Sequence, residues 1–349
     1  MPLFGFVSSE TRTGVLGGSV SGEATDSSHD ETAIIVQEAV VDTTSQSTPE
    51  PVGPASSNYI EGSYRDDDLS GTPINDVFNG LRGNDRFEGG EGWDIARFFA
   101  IEDSFTITVS TQGLTVEDRR QDGFGTDVYS SVEELEFISP DYSERTGYVI
   151  TDGLLSLDSS SIQEITELYI AYFGRAPDAQ GLNYWADHFA NGMPIAQIAA
   201  NFSTSLEYRA TFGGERSVER FVDTAYLNVL GRSSDPTGAA FWRSALESGG
   251  VSEEEFILQL LGGVSAGSPD RNYLDQKLDI GAYFSIIKGM SDPVDANAAM
   301  NLYDGSMGSI RAAISFIDEA YADATSAAGA EFIVQVVGAI DNPFSELAI

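Results

Sequence analysis

Four aspartates recur at an interval of nine residues: Asp67, Asp76, Asp85 and Asp94. Each stands sixth in a unit that opens on glycine, at Gly62, Gly71, Gly80 and Gly89. The units read GSYRDDDLS, GTPINDVFN, GLRGNDRFE and GGEGWDIAR, and their eighth position is apolar throughout (Leu69, Phe78, Phe87, Ala96). A carboxylate at the end of a glycine turn is a hard oxygen ligand. Calcium takes roughly six to eight such oxygens, many of them backbone carbonyls. Turns stacked at a fixed period supply carbonyls at fixed intervals, and the apolar eighth residue can point inward and stack on its counterparts. The period therefore predicts a calcium-loaded parallel β-roll.

The units resemble the repeats-in-toxin (RTX), or hemolysin-type, calcium-binding repeat G-G-x-G-x-D-x-U-x. The resemblance implies an ion between one turn and the turn two units on, so that Asp67 shares a site with Asp85, and Asp76 with Asp94. It also implies carbonyl donation by turn glycines such as Gly80, Gly83, Gly89 and Gly92, and roughly two ions in four turns. The first two units depart from the pattern. Ser63 and Thr72 replace its second glycine, and Arg65 and Ile74 its fourth-position glycine. Trp93 stands where a small polar residue is expected. The later two turns are the better ion sites.

Composition narrows the alternatives. The chain has 349 residues, 41% of them hydrophobic, enough for two or three domains with sizeable cores. Cysteine is absent, which removes disulfides, thiolate catalysis and cysteine-ligated zinc. The two histidines, His29 and His188, cannot build a histidine-rich metal site. The formal net charge is -37 and every long segment is acidic. That balance argues against nucleic acid and anionic membrane surfaces as partners. No apolar run approaches the ~18 residues needed to span a bilayer. The N-terminus, MPLFGFVSSETRTG, lacks the basic start of a Sec signal.

The fold class expected is multidomain α+β: a short calcium-binding parallel β-roll with a β cap, then an all-α domain of duplicated helical hairpins, preceded by a disordered N-terminal segment. Residues 1–61 are rich in Ser, Thr, Gly and acids and read as disordered linker. Residues 62–97 form the roll. Residues 98–150 read as a β module that caps its open end, because Phe105, Ile107 and Val109 alternate with threonines and unpaired edges invite aggregation. Gly125–Phe137 (GTDVYSSVEELEF) resembles the segment that follows RTX repeats. The run Glu133, Glu134, Glu136 reads as a solvent face.

Helical spacing begins at Ile162, Ile165, Leu168, Tyr169 and Tyr172, with Ser161-x-x-Glu164 read as a capping box and Gly174 as the stop. LYIAYFGRAPDAQGLNYW (Leu168–Trp185) aligns with AYLNVLGRSSDPTGAAFW (Ala225–Trp242) at an offset of 57. The shared pattern is G-R-x-x-D-x-x-G-x-x-x-W, so helical hairpins are duplicated. Ser252-x-x-Glu255 caps a further helix, and Asn272–Lys288 and Ser309–Ala324 read as two more. The pattern, with LDQKLDIGAYF (Leu274–Phe284), resembles the bacterial family DUF4214 over roughly Ile162–Tyr321. The resemblance implies a helical domain, often found beside RTX repeats in secreted proteins. It implies no activity. A helical repeat domain at 160–322 and a C-terminal tail at 323–349 complete the division.

Arg175/Asp178 and Arg232/Asp235 offer polar ligand sites, but each aspartate precedes a helix and reads better as its N-cap, with the arginine paired to it. Trp185 and Trp242 read as core rather than as a sugar platform. His188, a conceivable general base, lacks a nucleophile or carboxylate partner at a telling spacing. No phosphate loop and no HExxH occurs. The chain is therefore expected not to be an enzyme. The final Glu346-Leu347-Ala348-Ile349 resembles the C-terminal export signal of RTX proteases and lipases, which implies a type I ABC exporter as a partner and an extracellular or cell-surface location. The function expected is that of a secreted, calcium-dependent binding or matrix protein with a cell-surface glycan or protein partner. The alternative is a surface or virus-like-particle accessory that binds glycan and uses calcium only structurally.

Overall fold

The computed structural model describes residues 57–212, 217–326 and 329–347. The expected disorder of the N-terminal segment, and the last two residues of the expected export signal, lie outside them.

Strand Asn58–Glu61 (β1) precedes the repeats, at the end of the segment expected to be linker, and pairs with their second unit; the repeats themselves build Asp68–Ser70 (β2), Asp76–Asn79 (β3), Arg86–Glu88 (β4) and Ile95–Phe98 (β5). Each strand pairs in parallel with the one two units on: Tyr59 faces Val77, Val77 faces Ile95, and Leu69 faces Phe87. Odd strands thus form one sheet and even strands another, with a glycine turn at every crossing. The eighth positions point between the sheets, where Phe78, Phe87 and Ala96 are fully buried and Leu69 lies at the open end. This is a short parallel β-roll, as the period predicts.

Residues 98–150 cap the open end of the repeats by continuing the roll. They form Phe105–Ser110 (β6), Gly113–Asp118 (β7), Thr126–Ser130 (β8), Glu134–Ile138 (β9) and Arg145–Val149 (β10). β8 is parallel to β4, with Phe87 opposite Tyr129, and β9 is parallel to β5, with Ala96 opposite Leu135. The β6–β7 hairpin is an excursion between two coils, antiparallel to β8, while β10 returns antiparallel on β9. Glu136 is buried rather than on a solvent face: it pairs with Arg97 and Arg145 on the strands either side.

The helical half comprises Gly153–Ser156 (α1), Ser159–Phe173 (α2), Ala179–Ala190 (α3), Ile195–Thr204 (α4), Leu206–Phe212 (α5), Val218–Leu230 (α6), Pro236–Glu247 (α7), Glu253–Gly262 (α8), Pro269–Ala282 (α9), Pro293–Asn301 (α10) and Met307–Ala324 (α11). The duplication is visible in the backbone. α2 and α6 both stop at a left-handed glycine, Gly174 (φ 68°) and Gly231 (φ 65°). α3 and α7 both start on an aspartate cap, Asp178 and Asp235. The Ser252 capping box is present with Glu255. The box expected at Ser161 is not: the N-cap lies three residues earlier, at Asp158, whose carboxylate accepts the Ser161 N–H at 2.8 Å. With Asp158 as the N-cap, Ser161 sits inside the first turn, where its own N–H is the one that is capped.

The segment read as a C-terminal tail holds a buried strand, Ile333–Val337 (β11). It extends the even-strand sheet in parallel with β6, Val334 opposite Ile107. On its other side the Val334 N–H donates to the Gly289 carbonyl at 2.8 Å, beyond the π-turn Tyr283–Ile287 that ends α9. Phe332 packs edge-on against Phe137 (5.5 Å) and Tyr148 (5.4 Å). Arg119, at the end of β7, donates to the carbonyls of Asp103 (2.6 Å) and Glu331 (2.7 Å). β11 thus joins roll and helices into one continuous core.

Phe332→Ala removes a buried ring from that joint and should destabilise the whole chain by about 3–5 kcal/mol. Chemical denaturation followed at both strand and helix signals checks this. A loss confined to one signal, or below about 1 kcal/mol, would show that the joint does not couple the halves.

Candidate metal centre

The turns stack in two columns along the edges of the roll. One holds residues 62–67 and 80–85, the other 71–76 and 89–94. Glycine is required where turns touch. A Cβ on Gly62 would lie 2.7 Å from the Gly80 carbonyl oxygen, and Cβ atoms on Gly80 and Gly89 would overlap the carboxylates of Asp85 and Asp94. Gly83 (φ 135°) and Gly92 (φ 127°) adopt backbone conformations that side chains resist. Leu81, at a position the repeat gives to glycine, is held at φ 66°.

Within each column the sixth-position aspartates form a ladder. The Asp67 N–H donates to Asp85 Oδ1 at 2.9 Å, and the Asp76 N–H to Asp94 Oδ1 at 2.8 Å. The structure therefore brings together the two pairs that the resemblance implies. A second ladder runs through the fifth positions: the Asn84 N–H donates to Asp66 Oδ1 (2.9 Å) and the Trp93 N–H to Asn75 Oδ1 (3.0 Å). Trp93 itself faces outward and donates from its indole to Glu134 at 3.0 Å.

The second carboxylate oxygens separate the turns. Asp67 Oδ2 accepts the Ser63 N–H and Asp76 Oδ2 the Thr72 N–H, both at 2.6 Å. Asp85 Oδ2 and Asp94 Oδ2 are buried and accept no hydrogen bond, although Asp85 and Asp94 are only 2% and 0% exposed. A buried polar oxygen without a partner carries a desolvation penalty of about 1–3 kcal/mol, more when charged. Burial pushes the Asp85 carboxyl up and, with Glu133 and Asp76 nearby, Asp94 up to about 6. Among the described residues no three His, Cys, Asp or Glu side chains cluster as a metal site. Each turn pair offers two carboxylates amid backbone carbonyls.

Two acidic residues outside the repeats join the ladders. The Asp85 N–H donates to Asp127 Oδ1 at 2.9 Å, and the Asp94 N–H to Glu133 Oε2 at 2.7 Å. Burial holds Asp127 up at about 7, and its Oδ2 accepts the Tyr129 hydroxyl at 3.0 Å. The signal for Asp127 is in the sequence: Gly125-Thr-Asp127-Val-Tyr129 repeats the spacing of Gly83-Asn-Asp85-Arg-Phe87. Glu133 carries no such signal, and the structure moves it from the expected solvent face to the end of a ladder.

The polar residues of the helical half have structural duties. Asp178 caps α3 through the Gly181 N–H (2.6 Å), and Asp235 caps α7. The expected arginine–aspartate pairing survives in the first copy alone, where Asp178 caps with Oδ1 and meets Arg175 with Oδ2. Arg175, buried, forks onto Glu207 at 2.6 and 2.8 Å, with Asp178 at 3.3 Å, and Arg232 forks onto Asp270 at 3.1 and 2.8 Å. Trp185 is buried against Phe202, and Trp242 packs on Phe256 at 5.0 Å. His188 Nδ1 lies 2.9 Å from the Tyr184 carbonyl, one turn back on its own helix. No helix among the described residues is long and apolar enough to cross a membrane.

Comparison with known proteins bears mainly on the helices. No curated protein matches the chain. The crystal structure of extracellular lipase LipA from Serratia marcescens is similar at 19% identity and a TM-score of 0.18, over 28% of this chain and 18% of that one. The chain thus spans less than a fifth of the length of that lipase. Residues 155–212 and 199–263 each match the family described as a domain of unknown function, DUF4214, which places two overlapping copies on the duplicated hairpins and ends short of α9.

Proposed function

We propose that the roll is a calcium-dependent folding element of a secreted protein that acts by binding rather than by catalysis, its helical half being the part presented to a cell-surface glycan or protein partner. One observation carries the calcium reading: two buried carboxylate oxygens, Asp85 Oδ2 and Asp94 Oδ2, lack a hydrogen-bond donor inside stacked glycine turns. Burying a charge without a partner is unfavourable, and a cation held between turns removes the penalty. The donors at hand are carboxylate and carbonyl oxygens. An oxygen-only set of irregular geometry suits calcium better than magnesium, which demands a near-ideal octahedron, or zinc, which prefers nitrogen and sulfur. Residues Asp67, Asp76, Asp85 and Asp94 would supply the carboxylates, and turns containing Gly80, Gly83, Gly89 and Gly92 the carbonyls.

Location follows from the same chemistry. Where calcium is scarce, as in cytosol, repulsion between carboxylates opposes stacking of the turns. Where calcium is abundant, binding to the folded form alone stabilises it by about 2.7 kcal/mol at ~100 times the dissociation constant. A chain with this requirement is competent outside the cytoplasm. The non-catalytic reading rests on the caps and packing contacts that occupy Asp178, Asp235, Arg175 and His188.

Calcium added to the chelated full-length chain should raise its melting temperature and β-structure signal. Asp85→Asn or Asp94→Asn should cut that gain more than Asp67→Asn, because Asp67 already has a backbone donor on its second oxygen. Identical melting in calcium and in chelator would overturn the proposal.

Acid should act oppositely on the two forms. Without the cation, Asp94 and Asp127 titrate at about 6 and about 7 against 3.8 ordinarily. The native state then holds more protons than the unfolded one across that window, so stability in chelator should fall as pH rises through it. The increment due to calcium should grow over the same range, as protons leave the sites. Calorimetric melts in chelator and in calcium at both ends of the window check both signs, and an increment that shrinks with pH would contradict competition at these carboxylates.

A further inference from the structure

The repeats stop at Arg97, yet the ladders do not. Beyond Asp85 the next rung is Asp127, 2.9 Å from the Asp85 N–H, and beyond Asp94 it is Glu133, 2.7 Å from the Asp94 N–H. These distances match the rungs inside the repeats, 2.9 and 2.8 Å. The fifth-position ladder continues as well, the Thr126 N–H donating to Asn84 Oδ1 at 3.0 Å. The sheets keep their parallel register across the same gap, with Phe87 stacked on Tyr129 at 4.5 Å. Gly125, at φ 109°, meets the Gly83 carbonyl too closely for any side chain, and Gly89 meets Ser131 in the same way. By backbone, the segments at 125–127 and 131–133 are two more turns of the columns, and the 26-residue excursion of 99–124 merely separates them from the repeats in sequence.

The unpartnered oxygens fall where this extension matters. Asp85 lies between the 62–67 turn and residues 125–127, and Asp94 between the 71–76 turn and residues 131–133. These are the two carboxylates with a neighbouring turn on both sides, and theirs are the oxygens left without a donor. Resting on the calcium reading above, we propose that the ion columns extend one coil beyond the repeats. Asp127 and Glu133 each hold a further calcium ion, the first with Asp85 and the second with Asp94. The chain then binds four ions rather than the two implied by its repeats. The Tyr129 hydroxyl, on Asp127 Oδ2 at 3.0 Å, orients the outermost carboxylate of its column. A carboxylate oxygen has a second lone pair, so this bond and an ion are compatible.

The test is stoichiometry on the full-length chain, stripped with chelator and titrated with calcium under equilibrium dialysis. Four ions are expected, and Asp127→Asn and Glu133→Gln should each lower the count by one. The amide oxygen in either variant still accepts the backbone N–H, so the ladder persists while the charge is lost. A count of two that neither variant changes overturns the extension and leaves the repeat sites intact. A chain that binds no calcium overturns the underlying reading instead. If Asp127→Asn fails to fold, Tyr129→Phe decides that site: terbium emission excited through tyrosine should drop while the bound-ion count holds. Unchanged emission in Tyr129→Phe removes Asp127 from the ligands.

Discussion

The backbone N–H to carboxylate ladder is the interaction on which the rest of the molecule depends. Each rung ties the end of one turn to the aspartate of the next turn in its column, and so sets the spacing of the strands that leave those turns. The same rungs bury carboxylates, which is unfavourable unless their charge is met. Packing between the sheets therefore pulls toward a compact roll while the stacked acids push against it. The aromatic column of Phe78, Phe87 and Tyr129 supplies the pull, with Phe78 edge-on to Phe87 at 5.4 Å. A cation would turn the push into a further attraction, which is why the ladder reads as a switch as much as a scaffold.

The roll does not stand apart from the helices. β11 lies between them, hydrogen-bonded to β6 on one side and to Gly289 on the other. Arg119 gathers carbonyls from the loop before β6 and from the approach to β11. The aromatic chain Phe98, Phe137, Phe332, Tyr148 carries the core across the joint. The strand after α11 is thus packed into the same core as the roll.

The duplicated hairpins obey simpler rules. A left-handed glycine ends one helix, an aspartate cap begins the next, and a tryptophan two turns on packs against a phenylalanine from a following helix. The two copies nevertheless differ in their arginines. Arg175 is buried over the Tyr169 ring and forked onto Glu207, while Arg232 is half exposed and forked onto Asp270. The first copy lies deeper in the fold, and the second presents more of its polar surface.

Local signals determined a good deal of this by themselves. The nine-residue period named the turns and the inward residues, and the resemblance of its units to a known repeat named the paired aspartates, because each of those is decided by contacts one or two units away. Helix stops at Gly174 and Gly231 and caps at Asp178 and Asp235 were equally legible, since a cap depends on only three or four residues. The tertiary structure decided what depends on distant partners. Glu133 and Glu136 look alike in sequence, yet one ends a ladder and the other is buried between two arginines. Residues 98–150 alternate as any half-buried strands do, and only the parallel pairing of β8 and β9 with β4 and β5 makes them further coils of the roll. The burial of β11 likewise rests on β6, more than two hundred residues earlier, a distance over which sequence periodicity carries no information.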